Sequence, residues 1–260
     1  MKTITINKLP SLTYEVGEAL NTFCTNLTFS GDKTRVIMFT SCLAHEGKSF
    51  TALNTMVTLA KLGYAVALVD GDLRRSVMGT EYGFSKYGSG LSHYLAGKAK
   101  MEDVIYQTNY PNAYMVPAGV AVRNPLPLLN SPRLKQLMTY LSGQLDYILV
   151  DTPPVGTVID AAQVAKSCDG IVLVVKYNAV SRKALQESQN QLQQSGCPIL
   201  GTVLSMVDYD SFLNKKYYYR SYYKSYYKSY RKPYYAGDAP AESLTQGSRK
   251  EQSGKQTGKR

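Results

Sequence analysis

Lys48, Asp70, Asp72 and Asp151 are the residues whose types and neighbours point to phosphate chemistry. Lys48 belongs to Gly47-Lys48-Ser49. In such a triplet the glycine lets backbone N–H groups approach phosphate oxygens, the ammonium neutralises them, and the hydroxyl is offered to Mg2+. Cys42 stands where the usual loop has its first glycine. The stretch expected to contact a nucleotide comprises Leu43, Ala44, His45, Glu46, Gly47, Lys48, Ser49 and Phe50. Asp151, followed by Thr152-Pro153-Pro154, is a carboxylate able to orient Mg2+-bound water. Asp70 and Asp72, followed by Leu73-Arg74-Arg75, add more acid than a metal alone demands. One of them is free to accept a proton from an incoming hydroxyl. The blander reading, a surface turn at the lysine and a capped turn at the two acids, leaves their joint occurrence with Asp151 unexplained.

These groups need a scaffold, and the chain supplies strands and helices in alternation. Residues 35–41 form a short apolar run that ends before the Gly-Lys-Ser triplet, and residues 50–62 have helical character. Gly63 stops that helix, and residues 64–70 are a second near-continuous apolar run. Ser131-Pro132 opens another helix, with Ser as N-cap and Pro in the first turn. Residues 147–151, 170–175 and 199–206 read as further strands, and residues 160–168 and 180–195 as helices. Strands that are apolar on both faces and separated by helices predict an α/β fold. Its sheet is parallel, predominantly doubly wound and flanked by helices. Ligands bind such sheets beyond the carboxyl ends of the strands, where Lys48, Asp70, Asp72 and Asp151 all fall.

Charge is unevenly placed along the 260 residues. Residues 211–260 hold 12 Lys and Arg against 3 Asp and Glu, a net +9 of the chain's +11, which leaves the preceding 210 residues nearly neutral. A bulk nucleic-acid-binding domain is therefore not implied, and no nucleic acid is expected as a partner; a basic arm is implied. No secretory leader and no membrane span are expected. The scattered Cys24, Cys42, Cys168 and Cys197 read as reduced core thiols.

The arm carries ten of the chain's 22 tyrosines: Tyr217, Tyr218, Tyr219, Tyr222, Tyr223, Tyr226, Tyr227, Tyr230, Tyr234 and Tyr235. Its core is a tetrad repeat, Ser221-Tyr222-Tyr223-Lys224, Ser225-Tyr226-Tyr227-Lys228, Ser229-Tyr230-Arg231-Lys232. Nothing aliphatic lies between Leu213 and Ala236, so no core is expected there. A disordered, solvent-facing row of phenols suits phosphorylation or binding to an anionic surface. Residues 1–34 are read as an N-terminal segment, 35–210 as the nucleotide-binding domain, 211–235 as the tyrosine tail and 236–260 as a disordered end.

The segments Thr40-Ser41-Cys42-Leu43-Ala44-His45-Glu46-Gly47-Lys48-Ser49, Leu68-Val69-Asp70-Gly71-Asp72-Leu73-Arg74-Arg75-Ser76 and Ile148-Leu149-Val150-Asp151-Thr152-Pro153-Pro154 resemble the Walker A, A′ and B motifs of bacterial tyrosine kinases. With the tail, the chain is similar to the Gram-positive kinases of capsule and exopolysaccharide systems. That family lies within the deviant-Walker P-loop ATPases. The lysine that partition and septum-placing ATPases carry five positions before the loop lysine is Leu43 here.

The resemblance implies an ATP- and Mg2+-dependent kinase that phosphorylates the tail of a neighbouring copy and regulates polysaccharide assembly. It implies a membrane-anchored adaptor of the polysaccharide co-polymerase type, a cognate phosphatase, and a cytoplasmic enzyme recruited to the inner face of the membrane. It also implies an oligomerising helix near Glu18, although Asn21 and Cys24 replace two arginines common in relatives. Carried onto this chain, Lys48 holds the phosphates, and Ser49, Asp72 and Asp151 hold Mg2+. Asp70 takes the phenol proton, and an exchange of roles between Asp70 and Asp72 is open. The rival reading is a P-loop ATPase switch without kinase activity, whose basic tail binds an anionic polymer or membrane.

Overall fold

The computed structural model describes residues 2–31 and 33–207, so the tyrosine cluster and the end beyond it lie outside the described residues. The described part falls within one compact unit, Met1–Val207. It opens with β1 (Lys2–Ile4), α1 (Tyr14–Thr28), β2 (Val36–Ser41), α2 (Lys48–Lys61) and β3 (Val66–Asp70). Next come α3 (Met78–Glu81), α4 (Leu91–Leu95), β4 (Tyr106–Thr108), β5 (Ala113–Val116), α5 (Leu126–Leu129) and α6 (Pro132–Ser142). The unit ends with β6 (Tyr147–Asp151), α7 (Asp160–Ala165), β7 (Gly170–Lys176), α8 (Arg182–Gln193) and β8 (Ile199–Ser205).

The eight strands form one sheet in the order β1-β4-β5-β3-β6-β2-β7-β8. All pairs are parallel except β4 with β5. β2, β3 and β6 form the centre, and every residue of β2 and β3 is buried. Side chains alternate between the two faces of a strand, so these apolar runs feed two separate cores. Ile37, Phe39, Leu68 and Leu149 pack with Cys24 and Leu27 of α1 and Leu53 and Met56 of α2. Met38, Val69, Ile148 and Val150 pack on the opposite face with Leu134 and Leu137 of α6 and Val164 of α7. Each such side chain taken fully out of water contributes about 1.5–3 kcal/mol.

Two parts of the sheet were not foreseen. β4 and β5 form an antiparallel pair, and β1 brings the N-terminal residues into the sheet beside β4. These strands have three or four residues each and no long apolar run, so alternation alone does not announce them. The helix expected near Glu18 is α1, and Cys24 is fully buried against α2 rather than presented outward. Asn21 is exposed and donates to the Glu18 carboxylate at 3.3 Å. All four cysteines are free.

Candidate functional site

Three strands deliver the site. β2 runs into the loop that precedes α2, while β3 and β6 end in acids that are direct neighbours, Asp70 opposite Asp151. Both carboxylates are only 2% exposed. A buried carboxylate needs partners, and the loop before α2 brings them. Ser49 Oγ donates to Asp151 Oδ2 at 2.6 Å, and Lys48 Nζ lies 3.4 Å from the same oxygen and 3.0 Å from Ser49 Oγ.

The loop itself is tied at both ends. The buried Glu46 carboxylate accepts the Leu43 N–H at 2.6 Å and the Lys176 N–H at 3.2 Å, which joins the loop to the end of β7. Ser205 Oγ, at the end of β8, donates to the Glu46 carbonyl at 2.6 Å. Gly47, the N-cap of α2, has φ 82°, and His45 has φ 61° with its side chain exposed. Left-handed backbone is unstrained for glycine alone, so His45 costs the loop about 1–2 kcal/mol relative to glycine. The Leu43 N–H is engaged by Glu46, so it is not among the groups free to meet a phosphate.

Asp70 accepts from both sides: the Asp72 N–H reaches Oδ1 at 3.3 Å, and the Ser76 hydroxyl donates to Oδ2 in a very short hydrogen bond. Asp72 is half-buried, and its Oδ1 accepts the Arg75 N–H at 3.0 Å. Gly71 makes this turn possible. Its N–H donates to the Asp151 carbonyl at 2.7 Å, and a Cβ there would meet the same oxygen at 2.9 Å. Arg74 grips the fully buried Asp160 at the start of α7, Nε to Oδ2 at 2.5 Å and Nη2 to Oδ1 at 3.0 Å. Its third nitrogen, Nη1, donates to the Arg123 carbonyl at 3.1 Å.

Proton affinities follow from this crowding. Burial pushes the Asp70 carboxyl up to about 7; the Asp151 charge adds to the rise, and Ser76 and Lys48 oppose it. Burial also raises Asp151, against the pull of Lys48 and the Ser49 hydroxyl. Burial alone would lower Lys48, but Asp151, Asp72 and Asp70 together hold its ammonium above the ordinary value. Among the described residues, Lys48 thus serves both buried acids and also Asp72 at the rim.

The structure therefore brings together Lys48, Ser49, Asp70, Asp72 and Asp151, at the strand ends where the sequence expects them. Among the described residues no three His, Cys, Asp or Glu side chains form a metal cage. A hard cation here would take most of its ligands from phosphate and water, as Mg2+ does. The residues fit that ion. Ser49 Oγ and Asp151 Oδ2 are 2.6 Å apart, somewhat under the ~3.0 Å between neighbouring oxygens of an octahedron with ~2.1 Å bonds.

Several contacts of the site went unforeseen from sequence, although Glu46 itself belongs to the stretch expected to meet the nucleotide. The roles of Ser76, Glu46 and Ser205 depend on contacts made only in the folded chain, and no spacing rule marks them. The Arg74–Asp160 pair joins residues 86 positions apart.

Residues 34–196 match a family model described as AAA domain. The tyrosine-protein kinase CpsD of Streptococcus agalactiae is 37% identical over 191 residues, which cover 74% of this chain and 83% of that protein. CpsD of Streptococcus pneumoniae serotype 4 is 38% identical, covering 74% and 84%. Among solved structures, the kinase domain of the Escherichia coli tyrosine kinase ETK is similar, with TM-score 0.69 and 29% identity, covering 74% of this chain and 77% of that one.

Proposed function

The chain belongs to the family of tyrosine-protein kinases that includes CpsD, and from that membership we propose that it phosphorylates the tyrosines of residues 217–235 in a second copy of itself, using ATP. The observation that carries this reading is the convergence of Lys48, Ser49 and Asp151 beside the buried Asp70. Phosphoryl transfer asks a protein mainly for positioning and charge. Backbone N–H groups of the loop before α2 and the Lys48 ammonium hold the β and γ phosphates. Mg2+, when bound, neutralises charge on those phosphates, and Ser49, Asp72 and Asp151 are the residues that would hold it.

Asp70 accepts the phenol proton. A tyrosine hydroxyl, with a pKa near 10, is a weak nucleophile at neutral pH. A base whose carboxyl titrates at about 7 is matched to working near neutrality. Lys48 balances the acids while the proton moves. In this reading a membrane-anchored adaptor activates the kinase, a phosphatase resets it, the enzyme acts at the inner face of the membrane, and the cycle regulates capsule or exopolysaccharide synthesis. No helix among the described residues is long and apolar enough to cross a membrane, which is consistent with recruitment by a partner.

The test is incubation of purified protein with Mg2+ and ATP, with and without an adaptor's cytoplasmic segment, beside Lys48→Ala and Asp151→Ala. Phosphotyrosine is then mapped by mass spectrometry. Wild type is expected to carry phosphate within residues 217–235, and both variants to carry none. Normal labelling in either variant overturns the assigned site. Absence of phosphotyrosine from wild type in both conditions, with ATP bound and polyanion binding steeply salt-dependent, points instead to the ATPase switch.

A further inference from the structure

The carbonyl of Glu46 is held from outside the phosphate loop. Ser205 Oγ, on the last residue of β8, donates to it at 2.6 Å, and the Val175 carbonyl, at 3.4 Å, is a more distant acceptor for the same hydroxyl. The Glu46 carboxylate is tied as well, to the N–H groups of Leu43 and Lys176. All three oxygens of this buried residue are therefore fixed. Ser205 is itself anchored, because its carbonyl accepts the Tyr177 N–H at 2.9 Å. The next residue, Met206, has φ 51°, a left-handed conformation that L side chains rarely adopt. Such backbone persists where its surroundings over-determine it. Here both residues lie against Gly47: a Cβ added to that glycine would meet Ser205 Cβ at 3.6 Å and Met206 Cε at 3.7 Å.

A trans peptide is planar, so its C=O and its N–H point in opposite directions. Ser205 draws the Glu46 carbonyl toward β8. The Gly47 N–H of the same peptide is thereby turned away from β8, toward the side where Lys48 Nζ and Ser49 Oγ meet Asp151 of β6. No backbone carbonyl among the described residues accepts that N–H. We propose that Ser205 is a positioning residue for phosphate binding: it locks the Glu46–Gly47 peptide so that the Gly47 N–H faces the nucleotide phosphates before they arrive. A donor fixed in advance costs no reorganisation on binding. Without the hydroxyl the peptide is free to turn its carbonyl inward, where the oxygen repels a phosphate. Gly47 can follow such a turn because it has no Cβ to oppose it. The inference rests on the nucleotide-binding part of the reading above and is independent of which hydroxyl accepts the phosphoryl group. It extends the phosphate site from the loop to the tip of β8, two residues before the compact unit ends at Val207.

The experiment compares the full-length chain as wild type, Ser205→Ala and Ser205→Thr, the last of which keeps the hydroxyl. Affinity for Mg2+-ADP is measured by isothermal titration, and the Gly47 amide is followed by NMR of isotope-labelled chain with and without Mg2+-ADP. Ser205→Ala is expected to bind Mg2+-ADP roughly tenfold more weakly, the equivalent of one lost hydrogen bond. Ser205→Thr is expected to bind close to the wild-type value. The Gly47 amide proton should move downfield on Mg2+-ADP binding in wild type and Ser205→Thr, and much less in Ser205→Ala. Wild-type affinity in Ser205→Ala overturns the assignment. An equal loss in both variants also overturns it, because the hydroxyl is then not the operative group, and so does a Gly47 displacement in Ser205→Ala as large as in wild type. If wild type itself binds no Mg2+-ADP, the nucleotide reading fails and this inference falls with it. That result is distinct from a wild type that binds and an alanine variant that binds equally well, which overturns the role of Ser205 alone.

Discussion

Asp70 and Asp151 sit side by side at the strand tips, each 2% exposed, with Lys48 the cation that reaches them among the described residues. That arrangement works against the fold in the absence of ligand. The Asp70 carboxyl titrates at about 7 in the folded state against 3.8 as an unperturbed group. As pH rises through 4, the unfolded chain releases this proton first and the folded chain keeps it. The unfolded state then binds fewer protons, so unfolding free energy falls with pH until about 7. The full displacement is worth roughly 4 kcal/mol. The thermal midpoint of nucleotide-free protein is expected to drop between pH 5 and 8. Asp70→Asn, which keeps the shape and cannot ionise, is expected to flatten that drop. Parallel curves for the two proteins would show that Asp70 is not the strained group. On the proposed reading, the same burial, reinforced by the neighbouring Asp151, that weakens the apo-protein suits this carboxyl to act as a base near neutral pH.

At the scale of elements, β3 and β6 carry the buried acids as their last residues, and Arg74, in the loop after β3, ties that loop to Asp160 at the start of α7 while also holding the Arg123 carbonyl. Asp160 is 1% exposed and loses its only ion-pair partner among the described residues if Arg74 is shortened. Removing one member of a buried pair typically costs 3–5 kcal/mol. Because the Arg74 side chain is 32% exposed, Arg74→Met is expected to cost somewhat less, about 2–3 kcal/mol. Adding Asp160→Asn should recover much of the loss, since the orphaned charge is then gone. Urea unfolding of the single and double variants checks this, and additive losses would contradict it.

The elements also divide by how legible they were. β2, β3, β6 and β7 announced themselves because buried parallel strands are uninterrupted apolar runs, and three of the four acid or lysine positions follow directly at strand ends. α2 and α8 came within two residues of their observed starts and ends. β1, β4 and β5 stayed hidden because three or four residues carry too few alternations to count. The Arg74 clamp and the Glu46 tie stayed hidden because their partners are 86 and 130 positions away.

The whole molecule is electrically divided, +9 on residues 211–260 and +2 on the rest. Within residues 211–235 the charge comes from Lys215, Lys216, Arg220, Lys224, Lys228, Arg231 and Lys232, with no acid among them. Each tyrosine phosphate adds about −1.5 to −2 near neutral pH. Four phosphates therefore cancel the seven cations, and any further one reverses the sign of the segment. On the proposed reading, a kinase that modified its neighbour's tail would erase the charge that draws such a tail to an acidic surface, so association should be self-limiting. Light scattering on a sizing column is expected to show assembly of the unphosphorylated chain and its loss after incubation with Mg2+ and ATP. Salt near 1 M, which shortens the screening length to about 3 Å, should disperse the unphosphorylated form as phosphorylation does. A chain with all ten tail tyrosines changed to phenylalanine keeps its cations whatever the incubation, so it should stay assembled at low salt. Identical masses for the phosphorylated and unphosphorylated chains would mean that tail charge does not govern association, and that any oligomer is held by the folded unit alone.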